Sequence, residues 1–514
     1  MANRAVRIIP AVALGLLIAT LILGSAATVA LRADAWALKP ADWTALRFTL
    51  LQAALSAGLS TLLAIPVARA LFRRRFRGRD GLIRLMAAPF LLPVVVAVLG
   101  LLAVFGRDGP VNATLAAAGL QPFSIFGLHG IVIAHIFLNF PLAMRMILQG
   151  WQGIPAERFR LAASLGLTEP AQFWHLEIPM LRSILPGIAA VIFLICLTSF
   201  AVALSLGGGP RASTIELSIY QSLRFEFDPG RAALLAAVQF ALCALVTLAS
   251  LRFTIPHAFG TGLRRDPIVL APTGWRRGLD NGCIAAAALF LFAPVIAVVL
   301  AGLPGLLDLP DTIWLATARS ITIAVVSAAF ATLSGFTLAQ AAARYHKGWF
   351  DLVAMLPLCA SSLVLGTGLF LILRPFASPE SLSWPVTVLV NATLTVPFLY
   401  RLLLPQVQAL RQDYSRLTQS LGLTAMTELR YVTLPRLAGP LGFGAGLAAA
   451  LSMGDLGVIA LFAGGRGATL PLIVQRLMGA YQMEAAAGAA LILVALSFAI
   501  FWIFDRIGQH YANS

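Results

Sequence analysis

Charge is scarce in this chain. Only 11% of its 514 residues are Asp, Glu, Lys or Arg, against about 25% in an ordinary soluble domain. With 59% hydrophobic residues and a mean hydropathy of +0.88, there is too little polar surface for a soluble, secreted, disordered or fibrous protein. An integral membrane protein remains. Lysine is nearly absent: Lys39 and Lys347 are the two, beside 35 Arg. A P-loop ends in Gly-Lys-Ser/Thr, because that Lys contacts the phosphates. Lys39 follows Leu38 and Lys347 follows His346, so this chain hydrolyses no ATP through such a loop. Cysteine is also scarce. Cys196, Cys243, Cys283 and Cys359 each lie in an apolar run and form no Cys-x-x-Cys, which argues against a disulfide framework or zinc site and for small packing residues. Six scattered His give no metal spacing, and no catalytic triad or carboxylate pair stands out. No catalytic residue, metal or resident cofactor is expected.

What the chain does have is long apolar runs. A helix crosses a bilayer in about 20 residues. Twelve candidate spans lie near 8–30, 48–71, 85–105, 127–148, 184–206, 231–251, 281–303, 316–342, 351–373, 385–406, 440–462 and 484–504. The runs are continuous rather than alternating, which excludes β-barrel strands. The first exceeds the 7–15 residues of a signal-peptide core, so it reads as a retained span.

The net charge of +16 suggests nucleic acid in a soluble protein. Here its distribution reports topology. With a cytoplasmic N-terminus, 25 basic residues fall in inner segments and about ten outside, following the positive-inside rule. Both termini are then cytoplasmic. The densest cluster, Arg73-Arg74-Arg75-Phe76-Arg77-Gly78-Arg79, reads as a stop against anionic membrane lipid, and nucleic acid drops out.

The chain repeats itself. A shift of 256 aligns Pro141 with Pro397, Arg145 with Arg401, Ser164-Leu165-Gly166-Leu167-Thr168 with Ser420-Leu421-Gly422-Leu423-Thr424, and Pro179 with Pro435. There are 13 identities over residues 141–181, too many in register for composition alone. Further upstream the shift is 271, so the first half carries about fifteen extra residues, placed in the loop at 106–126. Six spans per half make this a parallel repeat. The expected architecture is an all-α polytopic membrane protein: a first half at 1–256, a cytoplasmic linker at 257–280 and a second half at 281–514.

The longest cytoplasmic loops, 151–183 and 407–439, carry the repeated block. Glu157 to Leu165 reads as a short amphipathic helix, ended by a left-handed cap at Gly166. Thr168 can cap a second short helix, with Glu169 in its first turn. That helix is expected to run to about Leu176, and Pro179 to restart the chain. The copy runs from Asp413 to Leu421, through Gly422, then from Thr424 past Glu428 to about Val432, and on to Pro435. Gly and Pro punctuate any loop, but two copies at one shift suggest two copies of a partner.

A helix, a glycine, a second helix and then Ile178-Pro179 or Leu434-Pro435 resembles the EAA loop of ATP-binding-cassette importer permeases. The Glu-Ala-Ala triplet itself departs, reading Arg160-Leu161-Ala162 and Arg416-Leu417-Thr418. The resemblance implies a type I importer permease fold. It implies that Thr168–Leu176 and Thr424–Val432 are coupling helices, each docking one of two ATPase subunits that carry ATP and Mg. A periplasmic binding protein would deliver the substrate. Ser199 to Leu223, with its Ser205-Leu-Gly-Gly-Gly-Pro210 core, is very similar to the fused thiamine and thiamine-pyrophosphate importer permeases. So are Asp228-Pro-Gly-Arg-Ala-Ala233, Leu451 to Phe462 and Thr469-Leu-Pro471. Permeases for ferric iron, phosphonates and polyamines share the fused design.

Intramembrane ionisable groups are costly and are functional candidates by default. Asp455, between Gly454 and Gly457, reads either as an attractor for a cation such as thiazolium or as a hydrogen-bonded acid at a helix break. Glu484 reads as interfacial. Ser199 and the segment after Gly207-Gly208-Gly209-Pro210, with Glu216, Tyr220 and Gln221, read either as a gate that contacts substrate or a docking protein, or as an ordinary periplasmic turn. The rival class is an ion-coupled secondary transporter, which also has twelve spans and a parallel repeat but calls for paired mid-membrane charges.

Overall fold

The structure, a computed structural model, describes residues 2–33, 36–209, 212–250, 274–345, 348–464 and 467–513. Most of the expected linker, 257–273, lies outside the described residues, as do Pro210 and Lys347. Among the described residues, all regular elements are helical. In chain order the first are α1 (Ala2–Arg32), α2 (Pro40–Arg73), α3 (Arg79–Ala87), α4 (Val94–Phe105), α5 (Pro110–Ala117), α6 (Leu128–Gln152), α7 (Ala156–Ser164), α8 (Glu169–Gln172), α9 (Ile178–Leu197), α10 (Ala201–Leu206), α11 (Ile215–Arg224) and α12 (Pro229–Ser250). Then follow α13 (Trp275–Gly305), α14 (Thr312–Tyr345), α15 (Trp349–Met355), α16 (Ser362–Leu373), α17 (Pro379–Ser420), α18 (Ala425–Glu428), α19 (Leu434–Met453), α20 (Gly457–Phe462), α21 (Leu470–Gly479) and α22 (Met483–Asn513). The repeat is visible in these bounds. Helices α9 and α10 recur as α19 and α20 at a shift of 256, and α4 recurs as α16 at 268. The difference falls between α4 and α6, where α5 sits in the stretch read as extra.

Among the described residues, eleven helices are long and apolar enough to cross a membrane, and twelve if one bent pair counts as a span. These correspond to the twelve apolar runs, with four refinements, the first being that the run at 85–105 is divided, α3 ending at Ala87 and α4 starting after Pro93 at Val94. The run at 351–373 is not one straight helix. Its halves, Trp349–Cys359 and Ser362–Leu373, meet at 90°, because Ala360 is extended and Ser361 caps α16, its Oγ accepting from Val364 N at 3.0 Å. The runs at 184–206 and 440–462 each break near their ends, between α9 and α10 and between α19 and α20. The second-half spans begin early, since α13 already starts at Trp275.

By contacts the described residues form two compact units. One comprises 43–214 and 245–301, the other 1–42, 215–244 and 302–514, so each draws on both halves of the sequence. In the first unit, α2, α6 and α9 share a buried polar seam. Gln52 Nε2 donates to Cys196 O at 2.9 Å, Ser56 Oγ lies 3.2 Å from His135 Nδ1, and Asn139 Nδ2 donates to His135 O at 2.9 Å. A span interior has no water to satisfy such groups, so the helices satisfy one another.

In the second unit, α14, α17, α19 and α22 pack together and α1 lies against α14 and α16. Asn391 Nδ2 donates to Ser452 Oγ at 3.0 Å between α17 and α19. Small residues bring α19 and α22 close. A Cβ on Gly442 would lie 2.5 Å from Phe504 O and 2.7 Å from Gly508 Cα, which is backbone that cannot step aside. Gly442→Leu is therefore expected to destabilise this unit by about 1–3 kcal/mol, the usual cost of overpacking. The check is thermal unfolding in detergent, where an unchanged midpoint would refute the close packing.

Candidate functional site

The two elbows are built alike. After α7, Gly166 adopts φ +65°, and its N–H donates to Ala163 O at 3.0 Å while Leu167 N donates to Ala162 O at 2.9 Å. This is the Schellman pattern, which satisfies carbonyls left open at a helix end. Gly422 repeats it at φ +62°, with Gly422 N to Gln419 O at 3.1 Å and Leu423 N to Thr418 O at 3.1 Å. Thr168 and Thr424 then precede α8 and α18. Thr424 Oγ1 accepts from Thr427 N at 3.3 Å, whereas Thr168 occupies the capping position without a side-chain bond.

Three expectations for the elbows are corrected. The second helix does not stop near Leu176 or Val432, and Pro179 and Pro435 do not restart the chain. Instead α8 passes through a π-turn at Phe173–Glu177 straight into α9, and α18 passes through Leu429–Thr433 into α19. A proline lacks an N–H and clashes with the carbonyl four residues back. The wider π spacing, with Ile178 N bonded to Phe173 O and Leu434 N to Leu429 O, accommodates it. Nor is Asp413 to Leu421 a separate helix. Asp413 lies exposed within α17, which runs unbroken to Ser420. Gly153-Ile154-Pro155 divides α6 from α7 in the first half, and Ala409-Leu410-Arg411 stands there in the second. Glu157 is exposed in the first turn of α7, and Pro179 and Pro435 are exposed at the starts of α9 and α19. Glu428 ends α18.

Glu169 is not free at the first elbow. It pairs with Arg73 and Arg276, while Arg73 Nη2 also reaches Asp280 Oδ2 at 3.0 Å. Beside it Arg69 Nε donates to Glu177 Oε2 at 2.7 Å, and Trp151 Nε1 donates to the same oxygen at 3.1 Å. Arg69, Trp151, Glu177 and Asp280 were not singled out from sequence, and Arg73, read there as part of a basic stop against lipid, is instead buried and ion-paired. Partners such as Arg73 and Asp280 are 207 positions apart, and the only available hint was an acidic residue inside an otherwise apolar approach to α9.

The expected path residues divide. Ser199 sits in the break between α9 and α10, in register at the 256 shift with Asp455 in the break between α19 and α20. Tyr220 is half-buried, edge-on to Phe225 at 5.8 Å, and Gln221 is exposed. Glu216 is fully buried on α11. Ser361 and Gln239 face its carboxyl, although neither carboxyl oxygen closes a well-formed hydrogen bond. Asp455 Oδ1 accepts from Gly457 N at 3.4 Å and its Oδ2 is buried without a partner. A Cβ on Gly457 would run into Ser362 Oγ and would lie 3.7 Å from Asp455 Oδ1. Both acids, one through Ser361 and one beside Ser362, therefore converge on the first turn of α16 at the 90° break. A helix N-terminus favours negative charge. Asp455 therefore stands at a helix break, with Oδ1 bonded to the new helix and Oδ2 left without a partner. Among the described residues, no group of three or more His, Cys, Asp or Glu is placed to hold a metal.

Residues 331–513 match the family model described as "Binding-protein-dependent transport system inner membrane component". Among curated proteins, the chain is 40% identical over 478 residues to the thiamine transport system permease protein of Brucella abortus (strain 2308), covering 90% of this chain and 87% of that protein. It is 38% identical over 485 residues to the protein of the same description from Escherichia coli (strain K12), covering 90% and 89%. For the Haemophilus influenzae protein the identity is 33% over 470 residues, covering 88% and 86%.

The elbow geometry generates a direct test. A Cβ added at Gly166 or Gly422 meets nothing within 4 Å, so the main cost of replacement is the left-handed backbone, about 1–2 kcal/mol per site. Gly166→Val with Gly422→Val is expected to leave membrane insertion intact and lower transport at least tenfold. Normal transport by the double variant would refute a coupling role for the elbows.

Proposed function

Because the chain belongs to the family of thiamine transport system permease proteins, we propose that it is the permease of an inner-membrane importer for thiamine or thiamine pyrophosphate, driven by a separate ATPase subunit. The duplicated elbow carries this reading. Each copy presents a short helix after a left-handed glycine, flanked by exposed leucines at matching positions: Leu161 and Leu165 at 60% and 67% exposure, Leu417 and Leu421 at 52% and 64%. Apolar groups on a short polar segment mark a protein-docking surface. Two such surfaces on one chain fit two copies of one ATPase, with ATP and Mg bound there. A periplasmic binding protein hands over the substrate on the opposite side. The basic segments and both termini lie in the cytoplasm, as the positive-inside rule directs.

The cargo is cationic at its thiazolium ring. Glu216 and Asp455 supply acid at the broken span without a cation already paired to them. Alternating access then exposes this region first to one side and then to the other, and the coupling free energy enters through the elbows.

Labelled thiamine uptake in a deletion strain tests the whole reading. Uptake is expected only when the ATPase and binding protein are supplied together with this chain. Uptake that survives loss of the ATPase but collapses with an ionophore would instead indicate an ion-coupled transporter. Glu216→Gln and Asp455→Asn preserve shape and remove charge, and each is expected to lower thiamine uptake at least tenfold with ATPase binding unchanged. Normal uptake by both variants would remove the acids from the path.

A further inference from the structure

We propose that Arg73 is a positioning residue for energy coupling, tying the first elbow to α2 and α13 where the second elbow relies on an unbroken helix. This rests on the reading of the elbows as ATPase-docking segments. Arg73 ends α2 with its side chain 5% exposed and pairs with Glu169 at the start of α8 and Asp280 near the start of α13. Glu169 in turn pairs with Arg276 on α13. One turn back on α2, Arg69 holds Glu177 in the π-turn through two contacts, at 2.7 and 3.2 Å, and lies 4.3 Å over the Phe173 ring. The six ionic groups balance, three guanidinium groups against three carboxylates. They bind α8 and its π-turn to helices that are distant in sequence. In a partly buried setting such paired, hydrogen-bonded charges are far more directional than surface pairs.

The two elbows differ at these positions. At the 256 shift, Ala425 stands for Glu169, Thr433 for Glu177 and Val407 for Trp151, so the second elbow cannot form this network. It has another means of connection, because α17 continues from the span to the elbow without interruption. In the first half the corresponding helix is cut between Gln152 and Ala156, so that route for rigid transmission is missing. Among the described residues, this ion network is present where helix continuity is lost and has no counterpart where continuity holds. Both elbows run on into a span through their π-turns, and beyond that shared route a displacement of the first elbow is passed to α2 and α13 through Arg73, and one of the second is passed along α17.

The experiment uses the complete importer in proteoliposomes, with ATPase and binding protein, and measures thiamine imported per ATP hydrolysed. Arg73→Gln and Asp280→Asn are expected to co-purify with the ATPase at the unmodified ratio while import per ATP falls at least fivefold. Arg73→Lys should recover to within twofold of the unmodified importer. A merely structural role would lower protein yield without changing the ratio in the assembled complex. Unchanged import per ATP in Asp280→Asn and in whichever Arg73→Gln complex assembles would overturn the proposal, as would loss of ATPase binding in both variants. Failure of the unmodified importer to bind the ATPase would refute the docking reading itself, which keeps the two failures distinguishable.

Discussion

Inside a hydrocarbon layer, every backbone N–H and C=O must find its partner within the protein. That constraint decides where these helices can break and what each break requires. At Ala360-Ser361 the new helix is capped by the Ser361 hydroxyl. At Gly454–Leu456 an aspartate accepts from the new helix. At the elbows, which the proposed reading puts in the cytoplasm outside that layer, the carbonyls are closed by glycine-based turns, and the prolines that follow, where the chain enters the next span, are absorbed by π-turns rather than by ends. The breaks are thus the places where polar and charged groups are structurally admitted, and the functional candidates collect there.

The duplication gives two versions of one device and shows which parts are interchangeable. The left-handed glycine and the π-turn are common to both copies. The stiffness of the approach is not: one copy has a continuous α17, the other a divided α6 and α7 with a set of ion pairs beside it. A duplicated ancestor followed by divergence accounts for a conserved local geometry with unequal connections to the spans.

Much of this architecture was legible in the sequence, for identifiable reasons. The twelve apolar runs, the repeat and the two glycine turns depend on local pattern, and Gly166 and Gly422 fell where a five-residue identity and a following Thr marked them. The 90° bend in the run at 351–373 was hidden because an apolar segment reads the same whether straight or folded over. The length of α17 was hidden by its partner: reading Asp413 as the start of a helix carried over a break that Gly153 and Pro155 impose only on the first copy. Glu169 was assigned to docking from its position in a first turn, and its pairing with Arg73 and Arg276 depended on helices brought together only in three dimensions. The convergence of Glu216 and Asp455 on α16 was beyond local pattern for the same reason, since each was visible singly and their common neighbour was not.

On the proposed reading, one chain offers two docking elbows and so recruits two ATPase subunits. Native mass spectrometry of the purified importer measures this directly. Two ATPase copies per permease chain, with cysteine cross-links to the ATPase from both Leu165→Cys and Leu421→Cys, are the predicted result. One copy per chain, or cross-linking from one elbow only, would contradict it.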